Sequence, residues 1–219
     1  MGPLETHQST YQRLGGALHG DMEFTDQLRA EYRRLFQTAK VSPERQALVD
    51  QTIRSLVAHK DRYEQVGDPI EVPWWFVAVI HQMEGSRNFH THLHNGDPLT
   101  HRTVRVPRNR PPGNPPFTFE ESARDALTLE GFAHARDWSI SHALFRLERF
   151  NGFGYRKASI AFPTPYLWSF CQHYAKGKFS SDGHFDPNLV SQQIGAGVLL
   201  RVMVDQGHVT PAASTAAVA

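Results

Sequence analysis

In PWWFVAVIHQMEGSRNFHTHLHNGDPLTHRTVRV, residues Pro73 to Val106, an apolar helix ends in an acid and runs straight into a polar, ionisable segment. Pro73 suits the first position of a helix, where its missing N–H has no partner to lose and its fixed φ is already helical. The run Trp74 to Ile80 is apolar all round and far short of the roughly 20 residues a membrane span needs, so it reads as a core helix. Gly85 offers the left-handed stop after the last turn, His81 to Glu84. Glu84 follows Ile80 by four positions and Val77 by seven, which puts its carboxylate on the stripe of two core side chains.

Partial burial and the negative end of a helix dipole both favour the protonated form of a carboxyl, so Glu84 is placed as a general acid. The plainer alternative is a polar residue before a loop, turned to solvent or paired with Arg87. Beyond it, Asn95-Gly96 is a strong hairpin signal, because both residues tolerate the positive φ of a type I′ turn. The spacing therefore predicts a small hairpin between Phe89–His94 and Pro98–Val106. The five prolines between Pro107 and Phe119 predict an extended loop after it.

Outward from this centre, Thr25 is expected to cap a helix over Asp26–Ala39, with Leu28, Tyr32, Leu35 and Phe36 on one stripe. Ser42-Pro43-Glu44 opens a second helix to about His59. Further helices are expected over Glu120–Leu129, Ser139–Phe150, Thr164–Tyr174 and Pro187–Val204, with a loop over Lys176–Asp186. There is no internal repeat and no βαβ recurrence, so a doubly wound sheet is disfavoured. The expected class is α+β, mainly α, with three parts: a flexible arm at 1–21, a catalytic domain at 22–208 and a flexible tail at 209–219.

The 219 residues suffice for one large core, and a net charge of +1 with interspersed signs leaves no footprint for nucleic acid. The single cysteine, Cys171, excludes an internal disulfide framework and a thiolate zinc cluster, and reads as packing. No charged-then-apolar leader and no span of about 20 apolar residues is visible.

Three constellations compete for the chemistry. Glu84 and Asp97 form a possible carboxylate pair. Inverting glycosidases need a protonated acid and a base roughly 6.5–9.5 Å apart with water between, which thirteen residues crossing one tight turn can achieve. Asp97 is also ordinary turn chemistry before Pro98. His90, His92 and His94 alternate, so on a strand their imidazoles share a face, fit either for zinc or copper or for hydrogen bonding in a sugar cleft. Among the aromatics, mostly core, Tyr155 and Tyr166 stand beside glycine and proline turns and offer a carbohydrate both an apolar face and a hydroxyl.

Taken together, Glu84-Gly85-Ser86, the block FHTHLHNGDPLTHRT, the downstream RFNGFGYR and PYLWSF, and the closing VSQQIGAGVLL resemble a bacterial and phage group of lysozyme-like proteins. The superfamily includes goose-type lysozymes, lytic transglycosylases, endolysins and chitosanases, and the resemblance covers about Glu71 to Met203. It implies a two-lobed, lysozyme-like helical fold with a small β-hairpin and a glycan between the lobes. By that resemblance Glu84 is the catalytic acid and Asp97 its partner, assisted by Thr100 or Thr103. Phe150-Asn151-Gly152 corresponds to a Tyr-Asn motif beside the acid. The chain departs from the family pattern twice: Phe150 replaces that tyrosine, and Gly85 separates the glutamate from Ser86.

The implied activity is a muramidase-like glycoside hydrolase cutting β-1,4 bonds of peptidoglycan at the bacterial cell wall, periplasmic or extracellular, with no cofactor and no metal. His92, His94, Asn95, Asn151, Tyr155 and Tyr166 would line its glycan site. Four alternatives stay open. They are a lytic transglycosylase working with one glutamate, a hydrolase of deacetylated or chitosan-like glycan, a zinc enzyme built on the histidine triplet, and a non-catalytic glycan-binding module.

Overall fold

A computed structural model describes residues 22–157, 163–181 and 184–211. The expected arm at 1–21 and the part of the tail at 212–219 lie outside the described residues. The chain is mainly helical with one small antiparallel sheet, as the patterning predicts. Its centre is α4, Trp74–Gly85, whose residues from Trp75 to His81 are all buried. On one side α4 packs against α2 (Gln46–Ala58) and α3 (Lys60–Gly67), and α3 carries α5 (Phe119–Leu129). On the other it packs against α9 (Ala196–Asp205), which also meets α1 (Asp26–Thr38), α6 (Ile140–Asn151) and α8 (Pro165–Trp168). A helix apolar on every face is needed here because both flanks are protein.

Local signals account for the helix starts. The Thr25 hydroxyl accepts the N–H of Leu28, and Thr118 with Glu121 completes a reciprocal capping box ahead of α5. Pro43 opens a 3₁₀ turn, Pro43–Arg45, that leads into α2. Pro73 is the residue before the first turn of α4 rather than its first member, with ψ at 137° and its carbonyl accepting from Phe76.

Four expectations shift. The helix expected to end near His59 is followed at once by another, α3, which buries Tyr63 and Val66 against α4. The helix from Thr164 stops at Trp168, because Ser169 leaves the helical region (ψ 144°) and the chain then turns through a left-handed Phe170 (φ 74°). The last helix begins at Ala196, not near Pro187. Gly195 lies so close to α8 that a Cβ there would stand 2.3 Å from the carbonyl oxygen of Leu167, and only glycine admits that approach. The core also reaches past residue 208, since Val209 is buried and its N–H bonds the carbonyl of Met203.

The sheet itself is elsewhere than expected. It pairs β1, Lys178–Ser181, with β2, His184–Asp186, inside the segment read as a loop. Around Asn95-Gly96 the chain does reverse, but not through the expected type I′ turn: Gly96 has φ 77° while Asn95 has no positive φ, and the loop is closed by the N–H of Gly96 on the carbonyl of His92 (2.9 Å) and the N–H of His92 on that of Asp97 (2.7 Å). Its flanks make only an isolated bridge between Thr91 and Pro98. They leave the strand geometry because the reversal already begins at His92, whose carbonyl takes the N–H of Gly96, so His92, Leu93 and His94 are buried in the turn and not on a strand.

Candidate functional site

Glu84 sits in the last turn of α4, half-buried. The Tyr166 hydroxyl, brought up by α8, donates to its Oε1 at 3.1 Å. Thr164 sets that tyrosine in place by accepting the N–H of Tyr166, with Pro165 at the start of the short helix. The carbonyl of Met83, one of the orphan acceptors of the helix end, is taken by the side-chain amide of Gln193 at 2.6 Å.

The helix does not stop at Gly85. It runs through that residue and turns out at Ser86 (φ 48°) and Arg87 (φ 65°), two successive left-handed residues with side chains. Such residues cost roughly 1–2 kcal/mol each, and they turn the chain sharply away just after the acid. Gly85 is instead used for closeness, because a Cβ there would lie 3.1 Å from the ring of His81 and 3.8 Å from Thr91 Oγ1.

Beneath the acid, His81 is buried between Phe89 and Phe119. Its Nδ1 meets the Tyr63 hydroxyl at 3.1 Å, while its Nε2 has no hydrogen-bond partner among the described residues. Burial pushes its pKa down from 6.5 to about 4, aided by the nearby cationic Arg62 and Arg87. Arg87 therefore lies toward His81 and Tyr63.

The remaining predicted site residues are spread through the following segment, where most hold the protein to itself. Asp97 is buried and accepts the N–H groups of Val104 (2.8 Å) and Arg105 (3.1 Å) as well as the Arg105 guanidinium (2.6 Å). Burial pushes its carboxyl up, but the backbone donors and the guanidinium outweigh it and hold the group below the usual carboxylate range. Asn95 donates to the carbonyls of Arg105 and Val106 and accepts from the N–H of Asp97. Thr103 is buried, donates to the carbonyl of Pro107 and accepts the N–H of Arg110. Thr100 is exposed.

His92 and His94 face inward. His92 bonds Ser122 Oγ at 2.7 Å through Nδ1 and the His101 carbonyl at 2.8 Å through Nε2. His94 Nε2 is 2.7 Å from Asp125, which also receives the Arg110 guanidinium. His90 is exposed. The three imidazoles do not share a face, because the segment lacks the strand that their alternation presupposes. Among the described residues no three His, Cys, Asp or Glu side chains are grouped to hold a metal ion.

Tyr155 is also buried, and its hydroxyl accepts the N–H of Phe179 in β1. Asn151 is half-exposed at the end of α6. Of the predicted residues, then, the structure brings Tyr166 onto Glu84. The groove of about 680 Å³ lined by Asp61, Glu64, Asp68 and Glu120, between α3 and α5, contains none of them.

Sequence reasoning missed two polar anchors. Gln193 is one, and nothing in VSQQIG marks it. The other is Glu148, 1% exposed on α6, which takes the Tyr32 hydroxyl at 2.5 Å and the Arg156 guanidinium at 2.8 Å. Burial pushes its carboxyl up against the pull of Arg156. So enclosed, it ties α1 and α6 to the short helix α7 (Gly154–Lys157) rather than meeting a ligand. Among the described residues no helix is long and apolar enough to cross a membrane. The chain matches no protein-family model, no curated protein and no solved structure.

Proposed function

We propose that this protein is a glycoside hydrolase of the muramidase kind, cutting β-1,4 bonds between the amino sugars of peptidoglycan with Glu84 as the general acid. The observation that supports this most directly is the carboxyl itself. It is half-buried at the end of an enclosed helix, steadied by the Tyr166 hydroxyl, with the chain turned away immediately after it. A proton delivered to the leaving glycosidic oxygen needs such a positioned and partly desolvated carboxyl. The proposed setting is the bacterial cell wall, with the glycan strand as partner.

The bonding of Asp97 favours a second reading within the same chemistry. A base that must take a proton from water competes here with three donors already on its oxygens. One-glutamate chemistry, in which Glu84 acts first as acid and then as base to give a 1,6-anhydro product, asks nothing of Asp97.

The test is mass spectrometry of soluble products from purified peptidoglycan, with wild type and Glu84→Gln compared. We expect wild type to release muropeptides and the variant to be slower by about 10²–10⁴-fold, the usual worth of a positioned general acid. Reducing ends identify hydrolysis and anhydro ends identify transglycosylation. Equal release by the two proteins removes Glu84 from the chemistry.

A further inference from the structure

From Pro98 to Thr118 the chain has four arginines and no aspartate or glutamate. Two of the arginines are neutralised from outside the segment, Arg105 by Asp97 and Arg110 by Asp125. The other two keep their charge. Arg102 is exposed, and its guanidinium is held on the carbonyl of Gly113, an uncharged acceptor. Arg108 is exposed, with no ion pair or hydrogen bond among the described residues. Between them Val104 and Val106 stand 62% and 41% exposed.

This loop is not left loose. Asp97, Asn95 and Thr103 bond its backbone at Val104, Arg105, Val106, Pro107 and Arg110, and Thr103 and Asn109 close it on itself. Holding exposed valines and unpaired cations in one conformation gives the fold nothing that looser polar residues would not, whereas a preorganised surface saves the ordering cost of binding. The loop also springs from beside the acid. Thr91, which lies against Gly85, bridges to Pro98, and the N–H of Leu99 bonds the carbonyl of His90.

We propose that this loop is a second recognition surface, on which Arg102 and Arg108 bind the carboxylates of the peptide stems that a peptidoglycan strand carries, with Val104 and Val106 against the stem side chains. The inference rests on the reading of Glu84 as a glycan-cleaving acid and names the substrate class for it. Guanidinium groups pair carboxylates in a planar, two-bond fashion. Chitin has no carboxylate to offer, and chitosan is itself a cation that these arginines repel. The substrate selected is the anionic, peptide-bearing wall.

The experiment is co-sedimentation of the full chain with purified sacculi, intact or with their stem carboxylates converted to uncharged amides by carbodiimide and excess methylamine. It is done in the Glu84→Gln background so that digestion releases nothing. At low ionic strength we expect intact sacculi to bind about 10-fold more tightly than amidated ones, as for a surface of complementary charge. The preference should vanish at 1 M salt, where the screening length is about 3 Å. Arg108→Glu should abolish the preference and Arg108→Lys should retain much of it, with unchanged melting temperatures. Three results overturn the proposal: no binding to either material, equal binding to both, or full binding of intact sacculi by Arg108→Glu. The Glu84 reading fails separately, when wild type binds selectively yet releases no soluble product.

Discussion

At Glu84 one neighbour is the Tyr166 hydroxyl. Tyr166 donates to one carboxylate oxygen and fixes where that group points, so its removal is a test of orientation. Tyr166→Phe keeps the ring and its packing, and we expect turnover to fall by about 5- to 10-fold, the worth of one hydrogen bond of about 1 kcal/mol. Sacculus binding and melting temperature should stay within error. A fall in binding with unchanged turnover of bound substrate would instead make the tyrosine a glycan contact. The acid was legible in the sequence because helix periodicity alone puts residue 84 in line with 77 and 80. Tyr166 was legible as an aromatic beside a proline turn, but its partner lies 82 residues away, and spacing along the chain carries no information about such an encounter. Gln193 and Glu148 were hidden for the same reason.

Among elements, regular helices read well where caps or periodicity mark them, and poorly where another element decides the end. Thr25 and the Thr118–Glu121 box give the starts of α1 and α5 within a residue or so. The start of α9 is set by contact with the Leu167 carbonyl, which no local pattern announces. Asn95-Gly96 lies in a reversal, yet a wider one than the two-residue type I′ turn, closed from His92 to Asp97, which uses up the residues expected in a strand. The real strands lay in KFSSDGHFD, where Asp182-Gly183 is itself a turn signal, but short polar strands alternate too weakly to stand out. The loop rooted on Asp97 yields a prediction at this scale. Asp97→Asn keeps the shape but trades a charged acceptor for a neutral amide that presents N–H groups to N–H donors. We expect a loss of about 1–3 kcal/mol in chemical denaturation, the cost of leaving buried donors unsatisfied. A comparable loss of activity in product release, with Glu84 intact, should accompany it only if the loop orders the site.

For the whole molecule, stability should depend on pH through two buried histidines, His94, which burial pushes down against the pull of Asp125, and His81. Its folded pKa of about 4 lies below the ordinary 6.5, so the native state refuses a proton that the unfolded chain accepts. The contribution is fully present above pH 6.5 and is lost as the pH falls from 6.5 toward 4, amounting to about 3 kcal/mol in all. Asp97, held below the usual carboxylate range, adds a loss of the same sign at still lower pH. Melting temperatures measured between pH 7 and 4 should fall steadily, and His81→Gln should flatten that slope while lowering the plateau. An unchanged slope would assign the loss to other groups.

The seam between the two ends of the chain has a consequence for how the protein is made. Val41 bridges Cys171, the N–H of Ser42 bonds the carbonyl of Phe170, and Gln172 reaches back to Thr38 and Lys40. The junction of α1 and α2 is thus closed by residues that a ribosome adds some 130 positions later, and the face of α1 that meets α6 and α9 and the face of α2 that meets α9 are likewise closed by late helices. During synthesis those faces must wait uncovered, which makes the emerging N-terminal half a client for chaperones and the final third of the chain the event that releases it.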